Sequence, residues 1–180
     1  RFRNVTGVQT CALPILTDKL IAESGNKFVV LFSGRTGEGR AFSDSMFIMG
    51  GMGARAGRQG LNCASFPANS SNLPVEILES TVPVRVHHKR IRTASGGKGR
   101  YAGGGGQDYE FESVSDAPML VRASHGKLSV PPKGLKGGGD GETGAILLNG
   151  QAIADKTPVR LKKGDVMRLL TPGSGGMGES

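Results

Sequence analysis

Four polar side chains lie in or shortly after a glycine-rich segment and belong to types that bind anions or polarise carbonyls. Arg55 falls inside the segment 50–60, and Asn69, Asn72 and Glu76 follow it. A guanidinium can bind an oxyanion through two parallel hydrogen bonds, and glycine lets backbone N–H groups come close to such an anion. Amide and carboxylate side chains can orient a carbonyl or a water molecule. These four residues are therefore the candidate catalytic residues.

Glycine is the compositional anomaly of this chain. It accounts for 30 of 180 residues, more than twice the average share of roughly 7%. Most of the glycines fall in four segments, at 50–60, 95–106, 130–141 and 171–178. They follow no three-residue period, which excludes collagen. The same glycines can serve tight turns and close backbone crossings, so a purely structural interpretation stands beside the anion-binding one.

One glycine segment formally matches a nucleotide motif. The stretch from Gly97 to Ala102 fits GxGxxA, whose mechanism needs a helix that opens at the loop. Four glycines follow instead, and each disfavours a helix by about 1 kcal/mol. Lys98 also lacks the upstream glycine and the following Ser or Thr of a P-loop. The sequence therefore predicts no cofactor-binding residues in this chain.

The other reactive residue types give weaker signals. His87 and His88 are adjacent in a predicted strand, where successive side chains point to opposite faces, so one is expected to be packed and the other solvated. They are thus not expected to bind one metal ion, and no metal site is predicted. Cys63 has no nearby His or CxxC partner, which favours a buried structural thiol. The basic residues around 88–100 lack interleaved aromatics apart from Tyr101, which disfavours nucleic-acid binding.

Short apolar runs separated by Gly and Pro turns must position these residues. Strands are predicted at 27–33, 41–49, 82–91, 107–114, 119–123, 145–148, 159–161 and 166–170. A short helix is predicted at 16–24 and one helical turn at 74–80. Pro83 should place its strand at a sheet edge, and Asn149-Gly150 should form a hairpin turn. The pattern predicts a mostly β fold (α+β at most) of antiparallel strands joined by long glycine-rich loops, with few short helices.

Length and composition exclude several classes of protein. A chain of 180 residues corresponds to about one domain, and its formal net charge is +8. No run of 18 apolar residues occurs, so no transmembrane helix and no membrane partner are expected. Two cysteines cannot form a disulfide framework, which favours a reducing compartment and hence a cytoplasmic location.

The first residues have an unusual origin. Residues 5–15 read VTGVQTCALPI, which corresponds codon for codon to a common short-read sequencing adapter. Residues 1–15 are therefore expected to be a non-native, weakly packed tail, and 16–180 to be the protein segment, truncated at both ends. Without Arg1, Arg3 and Cys11 the net charge falls by two to +6, and Cys63 becomes the only thiol.

The order of the glycine-containing blocks is more specific than any block alone. The blocks read GGMGARAGRQGL, FPANSSNLPVEILE, SGGKGRYAGGGGQ, PPKGLKGGGDG and KKGDVMRLLTPGSGGMG. In this order they resemble the C-terminal part of the hydantoinase B/5-oxoprolinase family over most of 42–178, and they also resemble the α subunits of acetone carboxylases. The sequence departs from the usual family pattern at Gln59, Ala102, Ser174, Met177, Glu179 and Ser180. These departures leave the substrate unassigned.

The resemblance implies an ATP-dependent hydrolase of cyclic amides such as hydantoins or 5-oxoproline. It implies that ATP is bound by a hydantoinase A-like ATPase subunit or by a missing domain, and that any divalent metal belongs to a missing N-terminal region. The hydrolysed species would be a phosphorylated amide, whose phosphate Arg55 could contact. The chain alone is then expected to be inactive. Arg168, in a short predicted strand, is expected to be solvated and to matter less for turnover than Arg55.

Two alternatives stay open. The chain could be a non-catalytic, β-rich interaction module with a basic surface, or a fragment of an acetone carboxylase-like α subunit. The order and spacing of the five blocks favour the cyclic-amide hydrolase.

Overall fold

The structure of this chain is a computed structural model, and it describes residues 19–124, 126–153 and 158–179. The prediction for residues 1–15 lies outside the described residues. The strands are β1 (Phe28–Arg35), β2 (Ala41–Ile48), β3 (Val84–Ile91), β4 (Gln107–Ser113), β5 (Met119–Ser124), β6 (Ala145–Leu148), β7 (Gln151–Ala152), β8 (Val159–Leu161) and β9 (Val166–Leu170). The helix α1 spans Val75–Thr81. The prediction of a mostly β fold with few short helices is confirmed.

The strands form two antiparallel sheets. The first sheet has the order β2-β1-β5-β8, and the second has the order β3-β4-β9-β6-β7. Strand β3 lies at an edge of the second sheet directly after Pro83, as predicted, because proline cannot donate a hydrogen bond to a neighbouring strand.

The inner faces of the two sheets share one core. Burial alternates along the strands, and in β5 every second residue is buried, from Met119 through Val121 to Ala123. The rings of Phe32 on β1 and Phe111 on β4 meet edge to face with their centroids 5.5 Å apart. Burial of one face of each sheet is the main stabilising contribution to such a fold, and it leaves the other faces and the loops to carry polar residues.

Two neighbouring residues form a turn that the sequence predicts. Asn149 and Gly150 have φ values of 49° and 79° and connect β6 to β7, which is the backbone that a two-residue hairpin requires. The two-residue strand β7 was not predicted, because Gln151-Ala152 is too short to show an alternating pattern.

The prediction of a helix at 16–24 is wrong in its described part, 19–24. Ile21 forms an isolated bridge with Arg55, and the N–H of Ala22 donates to the carbonyl of Ala54 at 2.7 Å. The carbonyl of Glu23 accepts a hydrogen bond from Gly175 at 2.8 Å. This segment therefore satisfies its backbone by pairing with two glycine segments rather than with itself, and tertiary pairing overrides its helical periodicity.

Candidate functional site

The four glycine segments, 50–60, 95–106, 130–141 and 171–178, pack together into one layer of backbone, called here the glycine layer. Each is hydrogen-bonded to at least one of the others through N–H and carbonyl groups. Direct bonds run from Gly51 N–H to Pro172 O (3.1 Å), from Gly104 N–H to Met52 O (3.1 Å), from Gly97 N–H to Ser174 O (2.8 Å), from Gly139 N–H to Lys98 O (2.7 Å) and from Gly176 N–H to Gly139 O (2.9 Å). Segments far apart in sequence thus form one unit.

Close approach explains why these positions are glycine. A Cβ on Gly53 would lie 1.8 Å from the carbonyl oxygen of Ala22, and one on Gly51 would lie 1.9 Å from that of Gly104. Such distances are far inside van der Waals contact, so no side chain fits. The structure therefore supports the structural interpretation for most of these glycines, although through close crossings of backbone more than through positive φ.

The hydrogen bonds of the glycine layer determine whether its backbone N–H groups are available to bind an anion. The N–H groups of Gly97, Gly103, Gly104 and Gly139 all donate to protein carbonyls, so they are not available to a phosphate. No helix opens after Gly97, since the segment runs directly into β4. The backbone around Gly97 therefore lacks the helix N-terminus that the dinucleotide motif requires.

Three of the departures from the family pattern have places in this layer. Ser174 is fully buried, and its hydroxyl lies 2.7 Å from the carbonyl oxygen of Met52 and 3.0 Å from that of Gly104. Met177 is buried and pairs with Tyr101 through two backbone hydrogen bonds. The carbonyl of Ala102 accepts a hydrogen bond from Gly60 at 2.8 Å. These residues serve the packing of the layer.

Arg55 lies in a tight turn at the surface of the layer. Its N–H donates to the carbonyl of Arg58 at 3.1 Å, and the N–H of Arg58 donates back at 3.0 Å. Gly57 has a φ of 80°, which glycine adopts without strain. The side chain of Arg55 is exposed, so it can meet an anion that approaches from solvent or from another chain.

Asn69 and Asn72 lie on an exposed loop that leads to α1. Asn69 has a φ of 48°, and its N–H donates to the carbonyl of Ser65 at 2.7 Å. Both side chains are exposed. Upstream in the same loop, Asn62 accepts a hydrogen bond from the N–H of Gly105 at 2.7 Å, which fixes the loop to the glycine layer.

Glu76 lies in the first turn of α1, and its charge acts on Lys89, a residue that the sequence did not single out. Lys89 on β3 is partly buried, donates to the carbonyl of Leu73 at 3.2 Å and lies 6.0 Å from the centroid of the Tyr109 ring. Burial lowers the pKa of Lys89, and the nearby carboxylate of Glu76 offsets part of that effect. An amine with a lowered pKa can act as a proton acceptor or stabilise a developing oxyanion.

Two other residues beside Lys89 have perturbed pKa values. Burial raises the pKa of the Cys63 thiol, whose Sγ donates to the carbonyl of Gly106 at 3.3 Å. Burial raises the pKa of Tyr109 to about 12, and Glu79 adds to the effect. Both groups stay protonated near neutral pH. Cys63 is only partly buried, whereas the sequence predicts a buried thiol. No sequence pattern distinguishes Lys89 from its basic neighbours, since its significance comes from burial.

The predicted residues fall in two places. Asn69, Asn72 and Glu76 belong to one continuous stretch that ends beside Lys89, and Arg55 belongs to the turn at the edge of the glycine layer. No hydrogen bond or ion pair among the described residues joins Arg55 to the other three. All four remain predictions as catalytic residues.

The expectation that one of the two histidines is packed and the other solvated is wrong. A β-bulge interrupts the pairing of β3 with β4 between Val86 and His88, and a bulge removes the simple alternation of faces. The Nδ1 atoms of His87 and His88 lie 3.3 Å and 3.8 Å from the same Glu110 Oε1. Their side chains are similarly exposed, at 34% and 26%. Among the described residues, no group of three or more His, Cys, Asp or Glu side chains is arranged to hold a metal ion.

Arg168 is not simply solvated, contrary to the expectation from its short strand. Its Nε and Nη2 donate to the two carboxylate oxygens of Asp108 at 2.9 Å and 2.8 Å. Asp108 is buried, and it also accepts hydrogen bonds from His88 at 3.0 Å and from Arg90 at 2.9 Å. Burial disfavours its ionised form, but the bonds from Arg168, His88 and Arg90 outweigh that effect and hold its pKa well below the ordinary value.

The part of the chain that is described contains no helix long and apolar enough to cross a membrane.

Comparison with known proteins finds relatives along most of this chain. The chain is 30% identical over 173 residues to the putative B component of a D-/L-hydantoinase from Pseudomonas sp. strain NS671, and the match covers 91% of this chain and 28% of that protein. It is 31% identical over 138 residues to the 5-oxoprolinase of Dictyostelium discoideum, with 73% and 11% covered. The chain therefore spans less than a third of the length of these relatives.

Two solved structures have the same fold. The ATP-dependent caprolactamase from Pseudomonas jessenii superposes with a TM-score of 0.81 at 21% identity, over 96% of this chain and 32% of that one. A nucleotide-free acetone carboxylase superposes with a TM-score of 0.71 at 17% identity, over 92% and 28%. Residues 2–180 match the family described as Hydantoinase B/oxoprolinase. The chain belongs to the hydantoinase B/oxoprolinase family.

Proposed function

We propose that this chain is the C-terminal part of the B-type subunit of an ATP-dependent cyclic-amide hydrolase, of the hydantoinase or 5-oxoprolinase type, and that it is inactive alone. The observation that carries this proposal is the family match over residues 2–180. Of the two relatives compared above, the putative B component of a hydantoinase matches the larger share of this chain. The caprolactamase with the same fold is an ATP-dependent enzyme.

ATP belongs, in this proposal, to a hydantoinase A-like ATPase subunit or to a domain outside this chain. The backbone supports this assignment, because the N–H groups of Gly97 and Gly104 already donate to protein carbonyls and no helix follows them. A divalent metal, where the enzyme uses one, would be held by the region that precedes this segment in B-type subunits. The cytoplasm is the proposed compartment, since Cys63 is a free thiol and thiols persist there.

The role of this chain is to complete a site for a phosphorylated amide. Arg55 is exposed at the edge of the glycine layer and could hold a phosphate through two hydrogen bonds. Asn69 and Asn72 could donate to the amide carbonyl, and Glu76 could orient the attacking water. Lys89 adds a partly buried amine beside Glu76. The glycine layer is the rigid support for these loops.

The test is reconstitution of the enzyme. The full-length B-type subunit that contains this sequence is co-expressed with its A-type partner, and ring opening of hydantoin, 5-oxoproline and caprolactam is measured with and without ATP. We expect ATP-dependent hydrolysis of at least one substrate by the complex. We expect neither hydrolysis nor tight ATP binding by the 180-residue chain. Activity of the chain alone, or a complex inactive on all three cyclic amides, would refute the proposal.

The same assay distinguishes the cyclic-amide hydrolase from the acetone carboxylase-like alternative. Acetone and bicarbonate are supplied as a second substrate set, and ATP-dependent consumption of bicarbonate is followed. Carboxylation without ring opening would favour that alternative, which the fold alone does not distinguish from hydrolysis.

A further inference from the structure

Among the described residues, the outer face of the first sheet carries basic, apolar and serine side chains and no acidic one. It is called here the arginine face. Its members are the outward-pointing residues of four strands, which alternate with buried core residues. They are Val29, Leu31, Ser33, Arg35, Ala41, Ser43, Ser45, Phe47, Leu120, Arg122, Ser124 and Arg160.

Three large apolar side chains form a diagonal stripe across this face. Phe47, Leu31 and Leu120 are 36%, 44% and 40% exposed. Leu31 lies opposite Ser45 in one direction and opposite Arg122 in the other. Phe47 and Leu120 are therefore its diagonal neighbours, two residues along each adjoining strand, which is within reach for large side chains. Three exposed apolar side chains at neighbouring diagonal positions are a feature typical of an interaction surface.

Arginines flank the stripe. Arg122 lies opposite Leu31, and Arg160 lies opposite Leu120. Neither has a carboxylate partner among the described residues. Arg35 donates to the carbonyl of Gly39 at 2.9 Å, which leaves other N–H groups of its guanidinium free to bond elsewhere. A cleft of about 410 Å³ at this end of the stripe is lined by Arg35, Leu120 and Arg160.

We propose that the arginine face docks an acidic surface of the A-type partner, with carboxylates on Arg122 and Arg160 and an apolar side chain against Leu31 and Leu120. This proposal rests on the proposed function, which supplies the partner. Arginine binds carboxylates through two parallel hydrogen bonds, and interfaces place an apolar centre inside a polar rim. Self-association through this face would bring like charges together. A nucleic acid would need aromatic side chains for stacking, and Phe47 is the only one on the face.

The experiment measures assembly of the full-length B-type subunit with its A-type partner. The test variant carries Arg122→Glu and Arg160→Glu. The control carries Arg58→Glu and Arg85→Glu, which make the same change of charge at exposed positions outside the face. Affinity is measured by calorimetry at low and at physiological salt. We expect the test variant to weaken assembly about a hundredfold or more and the control about threefold or less, since close interfacial charge pairs dominate such interfaces.

A second variant distinguishes a loss of docking from misfolding of the B-type subunit. Leu31→Ser removes the centre of the stripe without a new charge, and we expect it to weaken assembly while the unfolding temperature of the isolated B-type subunit stays unchanged. Equal affinities of test and control variants would overturn the proposal. So would loss of solubility or of thermal stability of the isolated B-type subunit in these variants, because the face would then be covered by its own chain. An assembled wild-type complex without hydrolase activity would refute the proposed function and leave the docking surface standing.

Discussion

The guanidinium of Arg168 forms a two-point ion pair with the carboxylate of Asp108, which is 5% exposed. The pair joins the neighbouring strands β4 and β9 of the second sheet. Arg90 and His88 reach the same carboxylate from the edge strand β3. One buried carboxylate therefore ties three strands together on the face opposite the core.

Arg168→Ala should destabilise the fold. The substitution removes two hydrogen bonds to a buried charge, and bonds to charged groups contribute about 1.5–3 kcal/mol. We expect the free energy of unfolding to fall by about this amount in urea titrations. Arg122→Ala is the matched control, because Arg122 is exposed and has no carboxylate partner among the described residues, and it should change stability by about 0.5 kcal/mol or less. Equal losses in the two variants would contradict the role assigned to the pair.

Asp108 should make stability depend on pH in the acid range. Its pKa in the folded chain is depressed, so its stabilising contribution is complete above the ordinary pKa of about 4 and is lost as pH falls towards the folded value. Asp108→Asn lacks this carboxylate. We expect the variant to be less stable than the wild type by about 3 kcal/mol at pH 6–7, and the gap to narrow as pH falls from about 4 to 2. A gap that stays constant over this range would show that the carboxylate is not the cause.

Gly53→Ala should disrupt the glycine layer. The added methyl group would lie 1.8 Å from the carbonyl oxygen of Ala22, and backbone on both sides must then move. We expect a loss of about 3 kcal/mol or more, at the upper end for overpacking. Gly37→Ala is the control, since its Cβ would meet only Asp116 at 3.5 Å. Chemical denaturation gives the free energy of unfolding of both variants. If Gly53→Ala is as stable as the wild type, the backbone of the glycine layer can move to accept a methyl group.

Periodicity and turn chemistry predicted most of the strands. Short apolar runs between Gly and Pro turns indicated β4 and β5, and Asn149-Gly150 indicated its hairpin turn, because these features depend on a few neighbouring residues. The helix predicted at 16–24 failed within its described part for the opposite reason. Ala22 bonds to Ala54, more than thirty positions away along the chain, and such pairing leaves no local pattern.

The candidate site shows the same limit. Glu76 could be singled out from its residue type and place in a resembling block, whereas Lys89 has the same local pattern as its basic neighbours and differs from them by burial. The shared approach of His87 and His88 to Glu110 results from a bulge that no residue in the sequence signals. Arg168 looked solvated because its partner, Asp108, is on another strand. Each of these contacts requires the pairing of strands to be known.

On α1, Glu76 should contribute to catalysis and Glu79 to the stability of the fold. Glu79 accepts a hydrogen bond from the N–H of Val86 at 2.6 Å and so fixes β3 to the helix. Glu76 is exposed beside Lys89. In the assembled enzyme we expect Glu76→Gln to lower kcat by about a hundredfold or more, because the variant would no longer hold the attacking water as the carboxylate does, with an unchanged unfolding temperature. Glu79→Gln should lower the unfolding temperature and leave kcat of the folded enzyme nearly unchanged. The reverse outcome would withdraw Glu76 from the candidate site.

Arg55→Ala should lower activity and leave stability unchanged, whereas Arg168→Ala should lower stability. The side chain of Arg55 is exposed, and its turn is held by backbone bonds to Arg58 that do not involve the guanidinium. Its removal should therefore leave the free energy of unfolding within about 0.5 kcal/mol of the wild type. If Arg55 contacts the phosphate in the transition state, kcat/KM of the assembled enzyme should fall about ten- to a hundredfold, as for one charge-assisted bond of about 1.5–3 kcal/mol. Arg58→Ala, in the same turn, is the matched control. Steady-state kinetics in which both substitutions have equally small effects would show that the turn only supports the glycine layer.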